Sequence, residues 1–251
     1  MKEFENLVEI MSRLRKECPW DKKQTHQTLR QYLIEETYEV VDSIDNKNMN
    51  HLKEELGDVL LQVLFHSEIA KENSLFDIKD VLETISEKLI RRHPHVFSDT
   101  KVNSANEVLE NWESIKLDEG KKSALSGVPA KLPALLKAHR IQEKAARVGF
   151  DWKTVTPVIE KVEEELTELK TEIENGSKNS IEDEFGDFLF SIVNFARFLN
   201  INPEDALRKT INKFTKRFQF IEKELKSQNK NIKTTTLEEM DQIWEKSKDI
   251  I

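Results

Sequence analysis

"IEDEFGDFLFSIVNFARF", residues 181–198, is apolar at Phe185, Phe188, Leu189, Phe190, Ile192, Val193, Phe195 and Phe198. Between them Glu184, Asp187, Ser191 and Asn194 recur at spacings of three, four and three. On a helix of ~3.6 residues per turn these four make one narrow polar stripe on an otherwise apolar rod. Acids on such a helix are costly unless something neutralises them. The stripe therefore needs a partner.

The pattern is not unique in the chain. "EETYE" (35–39) is answered by "EELTE" (164–168), and "EELGD" (54–58) by "DEFGD" (183–187), at a constant offset of 129 residues. Lys88 and Arg92 correspond to Lys213 and Arg217 across a four-residue gap, and Trp112 with Lys116 to Trp244 with Lys248. Order, spacing and residue type all repeat, so the chain reads as a duplicated domain. Each copy reads as a run of helices: Gln27–Ile44, His51–Glu72, one after Asp77, and Ala105–Leu117 in the first. In the second they are Pro157–Glu174, Ser180–Leu199, Pro203–Lys226 and Thr236–Lys248. "DEGKKSALSGVPAKLP" marks a linker, followed by a connecting helix in "ALLKAHRIQEKAARVGF". Strand signals are sparse. The expectation is an all-α fold of two tandem four-helix-type domains, residues 1–117 and 136–251, with residues 118–135 as linker.

Composition agrees. Of 251 residues 34% are charged, against ~25% in ordinary soluble domains, and Gly and Pro number only six each. Few turn-formers and many Glu, Lys and Leu favour long helices. A net charge of −8 argues against a nucleic acid polymer as partner, but leaves room for a small anion that brings its own divalent cation. One cysteine excludes a disulfide framework. The N-terminus reads unlike a signal peptide, and no apolar run reaches membrane-spanning length, so a cytoplasmic protein away from membranes is expected.

Glu36 and Glu39 share one helix face, as do Glu55 and Asp58 on the next helix. Antiparallel pairing of the two helices would gather all four carboxylates, which then repel and raise one another's pKa. Oxygen-preferring divalent cations, Mg²⁺ or alternatively Mn²⁺, resolve that repulsion and in turn bind phosphate oxygens. The same holds for Glu165, Glu168, Glu184 and Asp187. Gly57 and Gly186, beside the acids in mid-helix, are expected to let a helix or ligand approach closely.

"LIEETYEVVDSID…HLKEELGDVLLQVLFHSEIAKENSLFDIKDVLETISEKLIRRHPHVF" and "LPALLKAHRIQEKAARVGFDW" resemble the MazG family of nucleoside triphosphate pyrophosphohydrolases. The resemblance covers nearly the whole chain, and the family pattern, EExxE followed by ExxD, is met twice. It implies four-helix units that dimerise, Mg²⁺ held by the acidic motif, and hydrolysis of nucleoside triphosphates to monophosphate and pyrophosphate. It also implies that Glu35 and Glu164, first in each motif, bind metal or orient the water. A triphosphate needs cations beyond the metal, for which Lys213 and Arg217 are the candidates. Trp244 and Lys248 are expected near the nucleotide. Asn194 extends the stripe in the second copy, where the first has Phe65, so the copies are expected to be unequal, with the second the working one. The rival expectation is a helical module that binds metal or nucleotide without catalysis. A di-iron bundle would want Glu-x-x-His, which neither acidic motif supplies.

Overall fold

The computed structural model describes residues 2–98, 100–102, 104, 107–108, 111–112, 115 and 123–251. The expected boundary between residues 117 and 118, and Lys116, lie outside them. Regular structure among the described residues is entirely helical, and the chain divides into two compact units, Met1–Val108 and Leu109–Ile251. No helix among them is long and apolar enough to cross a membrane.

In the first unit, α1 (Lys2–Glu17) leads through a single 3₁₀ turn (Asp21–Lys23) into α2 (His26–Asp45) and α3 (Met49–Glu72). α4 (Ile78–Arg92) and the short α5 (Pro94–Phe97) follow. Side-chain caps start α2, α3 and α4. The Thr25 hydroxyl accepts from Thr28 N at 3.2 Å to open α2, and Asn48 Oδ1 accepts from His51 N at 3.2 Å to open α3. Asp77 and Asp80 cap α4 reciprocally. Three residues separate α2 from α3, so the pair forms an antiparallel hairpin, the best-packed pair of the unit. α1 lies against α3, and Met11, Leu29, Leu64, Phe65 and Ile69 form the core between these helices.

The second unit repeats the plan with α6 (Ala134–Arg147), α7 (Thr156–Asn175), α8 (Lys178–Phe198), α9 (Pro203–Ser227) and α10 (Leu237–Lys248). α7 and α8 form the hairpin, turned at Gly176 and Ser177, with Ser177 and Ser180 capping α8 reciprocally. The connecting helix of the sequence, α6, packs on α8 and α9, as α1 packs on α3 in the first unit. Ile221, Leu225 and Ile243 join α9 to α10.

Burial is thinner than the apolar patterns suggest. Phe185, Leu189, Phe190 and Ile192 of α8 are exposed, as is the α9 row Leu207, Ile211, Phe214 and Phe218. In the first unit α4 has no buried residue, and Leu82, Ile85 and Leu89 face outward.

Leu64→Ala, at a position 2% exposed, is expected to cost about 2–5 kcal/mol through the cavity it leaves. Ser177→Ala is expected to cost about 1 kcal/mol through loss of the α8 cap. Urea denaturation followed by circular dichroism should rank the two in that order.

Candidate active site

The α7–α8 hairpin carries the acidic residues of the second unit to one place. Glu165, Glu184 and Asp187 each offer a carboxylate oxygen, and these oxygens lie within 4.8 Å of one another. Glu165 is only 7% exposed, while Asp187 faces solvent. Glu168 falls outside that tight group, yet it is the first neighbouring charge acting on Glu184. Burial, then Glu168, Asp187 and Glu165, push the Glu184 carboxyl above its usual range. Lys161, one turn earlier on α7, pairs with Glu165 at 2.7 Å and Glu164 at 3.0 Å. Those two bonds raise its own pKa, so it stays an ammonium. A single ammonium against five carboxylates leaves a strong excess of negative charge. An all-oxygen donor set with that excess suits a hard divalent cation.

Beside the acids α6, α7 and α8 enclose a cavity of about 430 Å³, within the ~300–1,000 Å³ typical of small-molecule sites. Its walls are largely apolar, with Ile141, Val158, Phe190 and Trp152 among them, and Glu165, Asp187 and Lys161 also reach it. Two turns beyond Asp187 on α8, Asn194 lines the cavity, followed by Arg197. Arg197 Nε donates to Asn194 Oδ1 at 2.9 Å, which leaves the Asn194 amide NH₂ as the group still able to donate. The Arg197 guanidinium also grips Asp151 through two bonds of 2.5 and 3.0 Å, and so ties the loop carrying Phe150 and Trp152 to α8.

The first unit keeps the acids and loses the cavity wall. Glu36, Glu39 and Glu55 form a group of the same dimensions. Asp58 stands outside it but is the first neighbouring charge raising Glu36, after burial. Glu55 is 6% exposed; one oxygen meets His51 Nε2 at 3.2 Å and the other is buried with no hydrogen-bond partner among the described residues. Burial and the adjacent Glu39 hold its carboxyl above the usual range. At the 129-residue offset, however, Lys161 is matched by Tyr32 and Asn194 by Phe65. Phe65 is 3% exposed, Trp20 packs edge-on against it and against Tyr32 at 6.3 and 6.2 Å, and Arg15 lies over its ring. Aromatic rings fill the place where the second unit has polar cavity residues.

The expected cations and the expected Trp lie on two other helices, α9 and α10. Arg217 stacks over Trp244 at 5.6 Å, and Trp244 packs against Phe214 within the α9–α10 core. Lys213 is exposed on α9, and Lys248 pairs with Glu245. None of the four lines the cavity. The structure thus joins Arg217 to Trp244, but joins neither to the acids. Among the described residues no helix approaches Gly57 or Gly186: a Cβ at either would meet nothing within 4 Å.

Sequence reading missed Lys161, Gln142, Asp151, Trp152 and Arg197. Lys161 was within reach, since it stands three and four residues before Glu164 and Glu165 and so must share their helix face. The others come from a separate helix and a loop, with no common period to betray them.

Residues 24–97 and 153–220 each match the MazG nucleotide pyrophosphohydrolase domain. The nucleoside triphosphate pyrophosphohydrolase/pyrophosphatase MazG of Thermotoga maritima is 51% identical over 250 residues, covering 98% of this chain and 95% of that protein. A nucleoside triphosphate pyrophosphohydrolase of Escherichia coli is 42% identical over 257 residues, covering 99% and 98%. A solved structure, the crystal structure of a mazG-related protein from Thermotoga maritima, matches at 30% identity and a TM-score of 0.41, covering 45% of this chain and 98% of that one. The acids repeated on the two hairpins lie within the two matched segments, and the chain belongs to the MazG nucleotide pyrophosphohydrolase family, carrying that domain twice.

Proposed function

We propose that this chain is a Mg²⁺-dependent nucleoside triphosphate pyrophosphohydrolase that adds water across the α–β phosphoanhydride, releasing monophosphate and pyrophosphate. The observation that carries the reading is an acidic group opening onto a cavity in the second unit. Glu165, Glu184 and Asp187 would hold the ion, with Glu168 alongside. When bound, Mg²⁺ (or Mn²⁺) polarises the phosphate oxygens and lowers the pKa of its water. Glu164, beside the group and paired with Lys161, orients the attacking water and takes its proton. The cavity takes the nucleoside. Ribo- and deoxyribonucleotides of the cytoplasmic pool are the substrates.

The second unit is the catalytic one on this reading, because Trp20, Tyr32 and Phe65 stand where the first would need its cavity. Metal binding without catalysis is the reading that fits the first unit. We further infer that two copies of the chain associate through the uncovered α4 and α9 faces. Lys213 and Arg217 lie on α9, so association there is the means by which they, with Trp244 and Lys248, reach a bound triphosphate.

Product analysis with a panel of nucleoside triphosphates tests the reaction: monophosphate and pyrophosphate should form only with Mg²⁺, and diphosphate with phosphate would overturn the reading. Glu168→Ala and Asp187→Ala should each lower kcat/KM by on the order of 10³, while Glu39→Ala leaves turnover in place.

Glu184, Glu36 and Glu55 have carboxyls raised above about 4.5, by burial first and neighbouring carboxylates second. Across that window the folded chain holds protons the unfolded chain has released, so their contribution to metal-free stability is lost as pH rises. A cation offsets the repulsion. The melting-temperature gain on adding Mg²⁺ should therefore grow as pH rises from 4.5 to 7.5, as read by circular dichroism. Metal-free Glu184→Gln should melt above the parent protein at pH 7.5.

For association, sedimentation equilibrium should find two chains per particle, and Ile211→Glu on α9 should shift the protein to single chains with its helix content unchanged.

A further inference from the structure

We propose that Gln142 reads the nucleobase in the second unit, its side-chain Oε1 accepting a hydrogen bond from an N–H of the base; this rests on that unit being the nucleotide site. Gln142 of α6 is among the residues lining the 430 Å³ cavity and is 7% exposed. Its Nε2 donates to the Phe190 carbonyl of α8 at 2.8 Å. A reversed amide would set oxygen against oxygen, so this bond decides which end of the amide is which. Oε1 is left buried with no partner among the described residues. Buried acceptors are nearly always paired in folded proteins, and an orphan at the wall of a cavity marks the place of a ligand donor.

Position supports the same assignment. Phe190 follows Asp187 by three residues, on the order of 5 Å along α8, and Asn194 follows by seven, on the order of 10 Å. The phosphates belong at the acids, so the far part of the cavity receives the base across the sugar. There the chain offers an acceptor at Gln142 and a donor at Asn194, whose own oxygen is taken by Arg197. Base edges carry a donor next to an acceptor, and the N–H is common to adenine, cytosine, guanine and uracil. Gln142 thus selects for the presence of an N–H on the base rather than for one base, in keeping with a broad range of nucleotides. The surrounding apolar wall makes an analogue without that donor unfavourable, because it leaves the acceptor unpaired in the complex.

The test is calorimetric titration of the full chain in Mg²⁺ with AMP and with purine riboside 5′-monophosphate, which is AMP without its exocyclic amine. Neither ligand has an anhydride to hydrolyse, so the result is independent of turnover. The parent protein should bind AMP about tenfold more tightly than the analogue. Gln142→Leu should bind both at the weaker level, with a ratio near one. Equal affinities in the parent protein, no AMP binding at all, or a parental ratio kept by Gln142→Leu would overturn the proposal. The comparison in the parent protein decides even if the variant does not fold. Failure of the hydrolysis assay with the AMP preference intact would instead overturn the reaction while sparing the base pocket.

Discussion

Carboxylates held within 4.8 Å of one another are the constraint from which the rest of this protein follows. Each unit spends an antiparallel hairpin on bringing Glu and Asp side chains from two helices together, with one of them almost fully buried. Burial first, and repulsion between the acids second, raise the carboxyls of Glu36, Glu55 and Glu184 above their usual range. Lys161 relieves part of that repulsion in the second unit by pairing with two of the acids. The arrangement is stable only as a compromise, which a bound divalent cation would complete. Packing elsewhere in the hairpins, from Leu29 and Leu64 to Val158 and Val193, holds the acids in place against their repulsion.

Duplication has left one plan with two outcomes. Both units cap and turn the hairpin in similar ways, and both lay a preceding helix, α1 or α6, across it. They part at a few positions on the same faces. In the first unit Phe65 joins the core, Tyr32 packs against it, and the half-exposed Trp20 lies edge-on to both. Lys161, Asn194 and the Arg197–Asp151 pair hold the second open beside its acids. Substituting large aromatic rings for polar groups that need partners converts a cavity into a core without altering the backbone plan.

Much was legible from spacing alone. Seven of the foreseen helices, Gln27–Ile44 and His51–Glu72 among them, lie within about two residues of those in the structure, because capping and apolar periodicity are local properties, while the expected Ala105–Leu117 lies mostly outside the described residues. The EExxE and ExxD acids could be placed on facing helices for the same reason. The stripe of residues 184, 187, 191 and 194 does run along one side of α8, from the acids into the cavity. The degree of burial was not legible: the apolar sides of α8 and α9 remain largely uncovered, since periodicity reports which face is apolar and not what covers it.

The sequence by itself determined the duplication, the all-helical architecture and the pairing of acids across each hairpin, because these depend on residues a few positions apart or on a turn of fixed length. Only the tertiary structure decided that Gln142 of α6, Asp151 of the following loop and Arg197 of α8 meet around one cavity. It also decided that Arg217 packs on Trp244 away from the acids within its own chain. Such meetings are set by the side-chain volumes that fill the space between helices, and no repeat in the chain encodes them.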